Sequence, residues 1–209
     1  EVDDYDNPGQ TRLALIFQRN TILPTKRTLT FPINKTIVKG SEENDIRINI
    51  LQGSHLALPE ANKSIGFIGI TGKNLKRDIS KGSDIEITIS LSESQDLTVA
   101  AYLNMADQEF KETFNPKERH TPVEMLKEQV EDLSEKLDEE IEQATEKEDY
   151  ETASALSKLK KEMDVVAEET EGLTSDDVTD KRYQLEDKKR KIAQEIDSAT
   201  KHKRIQKVK

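Results

Sequence analysis

Few side chains in this 209-residue chain are of the right type and spacing to do chemistry. It has no cysteine, which removes thiolate zinc sites, disulfide frameworks and cysteine nucleophiles, and which suits a reducing cytoplasm. The histidines are His55, His120 and His202; no two stand at metal-ligand spacing, so a histidine zinc site is not expected. No Gly-x-Ser-x-Gly elbow occurs. Residues 69–74 have the flavour of a phosphate loop, but Phe67 stands where a glycine is needed and Asn74 replaces the magnesium-binding hydroxyl. A plain turn is the reading taken. Residues 201–209 hold five basic side chains and no acidic one. They could meet nucleic acid or acidic lipid, but cations also complement a helix C-terminus, and that is preferred. Carboxylates are abundant, mostly on polar helix faces. No enzyme, metal, nucleic acid or membrane partner is expected. The side chains left to do work are apolar, and they recur in pattern.

The elements that carry them divide the chain. In residues 45–51, Ile46, Ile48 and Ile50 alternate with polar residues, and in 84–91 Ile85, Ile87, Ile89 and Leu91 do the same. Such alternation predicts strands with one buried face. Residues 12–19, 28–33, 64–70, 97–103 and 109–114 complete a set of about seven. Gly40, Gly72 and Gly82 mark turns between them. An antiparallel sandwich or barrel with one polar face follows.

From Thr121 the apolar period lengthens from two to about 3.6. Val123, Leu126, Val130, Leu133, Leu137, Ile141 and Ala144 form one stripe. Ala153, Leu156, Leu159, Met163 and Val166 form a second, and Val178, Leu185, Ile192, Ile196 and Ala199 a thinner third. Thr121-Pro122-Val123-Glu124 predicts a capped start, with the Thr hydroxyl and the Glu carboxylate satisfying first-turn groups. Asp149 is expected to cap the second helix, Gly172 to end it, and residues 174–177 to open the third. A helical bundle is expected; one long coiled coil is the competing arrangement. Residues 1–120 carry 17 acidic and 15 basic groups, against 25 and 17 in 121–209. The charge step coincides with the loss of Phe and nearly all Gly. It puts a boundary at 115–122, with units 1–116 and 117–209. The fold class is therefore α+β: an antiparallel β-sandwich, then a C-terminal α-helical bundle. No apolar run reaches the ~18–20 residues of a membrane span.

Three segments resemble the substrate-binding domain of the DnaK-type, seventy-kilodalton heat-shock chaperone family. Asn20-Thr21-Ile22-Leu23-Pro24-Thr25-Lys26 is similar to its N-T-x-I/L-P-x-K loop. Ile46-Arg47-Ile48-Asn49-Ile50-Leu51-Gln52-Gly53 is similar to its strand ending in a Gln-Gly turn, and Asn62-Lys63-Ser64-Ile65-Gly66-Phe67-Ile68-Gly69-Ile70 to a third stretch. Order and spacing agree over residues ~10–114. The resemblance implies a sandwich that grips an extended apolar peptide under a helical lid. By position, Phe31, Ile46, Ile48 and Ile85 would line the pocket, with Ile87 beside it. The bland alternative is that all five are sandwich core; it stands level with the pocket for Ile48 and Ile87.

The resemblance further implies unfolded polypeptide as partner, with a J-domain co-chaperone and a nucleotide-exchange factor. ATP and magnesium would belong to an ATPase domain outside these residues; none is expected here. Some features depart from the family. Its first strand is expected just before Glu1, residues 3–10 are long and acidic, and no Met matches its arch residue. Asn34 stands near the opposite arch position without resembling it. Residues 141–163 are similar to a helical hairpin of bacterial nucleotide-excision and Clp-type proteins that pairs with a partner hairpin. The rival to a chaperone module is a non-catalytic scaffold without a groove, whose helices bind a fixed partner.

Overall fold

The computed structural model describes residues 1–115, 121–177 and 179–207, the stretch 201–207 by backbone alone. The expected boundary at 116/117, His120, Val178 and the side chain of His202 lie outside the described residues. Contacts group the chain into two compact units: residues 1–55 with 64–120, and residues 56–63 with 121–209.

The first unit holds eight strands: β1 (Val2–Asp3), β2 (Thr11–Arg12), β3 (Thr25–Pro32), β4 (Asp45–Gln52), β5 (Lys63–Thr71), β6 (Asp84–Leu91), β7 (Leu97–Leu103) and β8 (Gln108–Phe114). They form two antiparallel four-stranded sheets, in the orders β2-β1-β4-β5 and β3-β6-β7-β8. Register follows the alternation. Phe31 pairs with Ile85 and Ile85 with Leu103, while Ile87 pairs with Leu29 and Ala101. These rows share one core with Ile48, Ile50, Ile68 and Ile70 of the other sheet. The outer face of the second sheet is polar: Thr28 and Thr88 share a hydrogen bond of 2.8 Å, Thr98 and Thr113 one of 3.1 Å.

Residues 12–19 do not make the strand expected of them. Only Thr11–Arg12 is extended in a ladder. Beyond it Ala14, Ile16 and Phe17 pack on the core, while Arg27 Nη1 donates to the carbonyls of Leu15 (3.1 Å) and Ile16 (2.9 Å). A side chain thus satisfies backbone that a neighbouring strand would otherwise pair. Of residues 69–74, the first three end β5 and 72–74 form a single 3-10 turn, not a phosphate loop. A Cβ on Gly72 would lie 1.9 Å from the carbonyl oxygen of Val38 and 2.6 Å from that of Ser41. Carbonyl oxygens crowd that side of the glycine, and they repel a phosphate. Lys73 is paired with Glu42 at 2.5 Å.

The second unit is a bundle of α1 (Val123–Glu146), α2 (Tyr150–Glu171) and α3 (Asp180–Lys207). Leu126, Leu133, Leu137, Leu156, Met163, Leu185 and Ile196 meet in one core, so the three-helix arrangement holds rather than a single long coiled coil. Asp149 caps α2, its carboxylate accepting the Thr152 N–H at 3.1 Å, and Gly172 follows its last residue. Two expected starts are displaced. Pro122, not Thr121, is the cap of α1, and the Thr121 hydroxyl instead donates to the buried Glu186 at 3.3 Å. Residues 174–177 form a turn before α3 begins at Asp180. Residues 56–63, which run from the loop after β4 to the first residue of β5, belong to this unit. Ala61 is buried in its core, Gln194 Nε2 donates to the Ala61 carbonyl (3.2 Å), and Lys136 Nζ reaches the buried Glu60 at 2.6 Å. Among the described residues, no helix is long and apolar enough to cross a membrane.

Candidate functional site

The alternating isoleucines of β4 and β6 face each other because each strand presents every second residue inward. Near the β1 side of the sandwich this facing leaves a cleft. Ile48, Ile85 and Ile87 form its floor, each no more than 3% exposed. Phe31 (9%) and Ile46 (8%) stand nearer solvent. The empty space there comes to about 330 Å³ only when the open solvent at its mouth is counted. All five residues named by position line it, and all five also belong to the sandwich core. Pocket wall and core are therefore the same residues seen from two sides.

The mouth is polar. Val2 and Asp3 of β1 flank it, with Pro32, Ile33, Asn34 and Arg47. Asp3 pairs with Lys35 at 2.9 Å, and Asp45 with Arg47 at 2.6 Å. Across the edge lies Arg12 of β2, its guanidinium carbon 5.1 Å from the centre of the Phe31 ring. Nearby, the Asn7 side-chain amide and the Asp6 N–H, at 2.9 and 3.0 Å, hold the Asp4 carboxyl below the usual carboxylate range. Asp4 is thus engaged within its own loop.

β1 runs between β2 and β4 in the first sheet. Val2 lies opposite Ile48 on one side and Arg12 on the other. Two residues are too few to show a period, so neither β1 nor the roles of Val2 and Arg12 could be read from alternation. Arg47 is legible in principle, because it sits at the polar phase of β4. Buried polar atoms tie β4 to its neighbour: Ser64 Oγ donates to Asn49 Oδ1 at 2.8 Å, with both residues buried.

Among the described residues, no group of three His, Cys, Asp or Glu side chains could hold a metal ion. No family model and no curated protein matches the chain.

Proposed function

We propose that the chain is a non-enzymatic peptide-binding module of a molecular chaperone, which takes one Leu- or Ile-sized side chain of an extended polypeptide into the cleft. The observation that supports this is the convergence of Phe31, Ile46, Ile48, Ile85 and Ile87 on one apolar opening in the sandwich. The resemblance to the DnaK-type family points the same way. Extended segments of unfolded proteins offer such side chains singly, with backbone groups free to pair with strand edges. Burying one leucine contributes about 1.5–3 kcal/mol, which selects apolar segments without selecting a sequence. The helix unit acts as a lid that slows release. An ATPase domain with ATP and magnesium, a J-domain co-chaperone and an exchange factor act with it in the cytoplasm.

A labelled Leu-rich heptapeptide is expected to bind and to be displaced by unrelated apolar peptides. Phe31→Asp and Ile46→Asp should each weaken binding by about tenfold or more, while far-UV circular dichroism stays native. Absence of peptide binding in the native chain refutes the proposal. The scaffold reading would then gain support from Tyr150 (68% exposed) and Val165 (52%) on α2, where a fixed partner could dock.

A further inference from the structure

The edge of the cleft carries a cation in a place where the register calls for an apolar residue. Val2 is paired directly with both Ile48 and Arg12. Residues opposite one another in a ladder point to the same face, so Ile48, Val2 and Arg12 form one row on the inner side of the sheet. Ile48 is buried, Val2 half-buried and Arg12 exposed. The row ends at the opposite sheet, where the guanidinium of Arg12 lies over Phe31. An inward-pointing charge on an edge strand guards against sheet-to-sheet aggregation, which is the simplest account of it. Its surroundings say more. Arg47, which lines the cleft, pairs with Asp45, and Lys35 pairs with the lining residue Asp3. Among the described residues Arg12 has no carboxylate within ion-pair distance; it lies over the face of the Phe31 ring and acts at longer range on Asp4, whose carboxylate is already held by Asn7 and the Asp6 N–H. A guanidinium over a ring face still has N–H groups to offer, and its fork matches a carboxylate.

We propose that Arg12 is a specificity-determining residue of the cleft, which favours extended segments carrying an Asp or Glu side chain next to the apolar residue that enters. The inference rests on the peptide-binding reading above and names the class of segment that reading leaves open. Phe31 contributes the wall against which the apolar side chain packs, and Arg12, lying on the same ring, holds the neighbouring carboxylate. A Lys at that place in the segment meets Arg12 as a like charge.

The test uses the whole chain and end-blocked, fluorescein-labelled peptides with a central Leu pair, differing only in one Asp, Asn or Lys beside it. By anisotropy at low salt, the Asp peptide should bind about fivefold tighter than the Lys peptide, with Asn between. The gap should shrink as salt rises. In Arg12→Gln the Asp-to-Lys ratio should fall to near one, and Arg12→Lys should restore part of it. Thermal melts check that the variants fold; if Arg12→Gln does not, the salt dependence in the native chain decides. Equal affinities for the Asp and Lys peptides, with the Asn peptide bound, overturn this inference and leave the peptide-binding reading standing. Preference only for a free C-terminal carboxylate on an unblocked Leu peptide also overturns it. Binding of none of them removes the peptide-binding reading, and this inference falls with it.

Discussion

Lys136→Met probes the helix unit at the point where its charge balance is most exposed to failure. Glu60 is 5% exposed; one carboxylate oxygen accepts from Lys136 Nζ at 2.6 Å, and the other has no partner among the described residues. Removing the lysine leaves a buried carboxylate without its cation. Breaking a fully buried pair costs about 3–5 kcal/mol. The Lys136 side chain is 40% exposed, so water reaches the broken pair, and the cost should come down to about 1.5–3 kcal/mol. For a unit of roughly a hundred residues each kcal/mol lowers the melting temperature by about 4–8 °C. Urea and thermal unfolding of the whole chain, followed by far-UV circular dichroism, read this directly, because the three helices dominate that signal. Adding Glu60→Gln to Lys136→Met should return most of the loss, since a buried neutral amide needs no counter-charge. A loss below about 0.5 kcal/mol would mean that Glu60 is well solvated. A double variant as unstable as Lys136→Met alone would mean that the ion pair is not what holds residues 56–63 to the helices.

Two further outcomes are expected. Gly72→Ala should cost the sandwich about 3 kcal/mol or more, because its Cβ would fall 1.9 Å from a backbone oxygen that cannot rotate away; amide exchange in β5 measures it, and a cost under about 1 kcal/mol refutes the close approach. Asp132→Asn should raise the urea midpoint at neutral pH. Burial holds this carboxyl above its ordinary range; Lys136 opposes the rise, and Glu60, Glu128 and Glu135 add to it. A raised folded value means that the stability this group contributes is full in acid and is lost as pH rises through that value. The advantage of the Asn variant should therefore vanish as pH falls below the ordinary carboxylate range, and an advantage independent of pH would refute the assignment.

Local pattern in the sequence was enough for most elements. The alternation at Ile46, Ile48 and Ile50 and at Ile85, Ile87 and Ile89 specifies both the strands and the face each buries, because a strand's period of two leaves no freedom in which side points inward. The apolar stripes of α1 and α2 and the Asp149 cap are equally local, since each depends on residues three or four apart. What depended on distant partners was not legible there. Residues 12–19 have a strand's composition, yet Arg27 takes the carbonyls of Leu15 and Ile16. Thr121 has a cap's chemistry, yet its hydroxyl goes to Glu186, 65 residues on. Residues 56–63 run from the loop after β4 to the first residue of β5 and still belong with the helices, because Glu60 and Ala61 find their partners at Lys136 and Gln194. The cleft divides in the same way. Its isoleucines are readable from phase, whereas Arg12 over Phe31 joins two-residue β2 to the opposite sheet, a meeting that only the packing of one sheet on the other brings about.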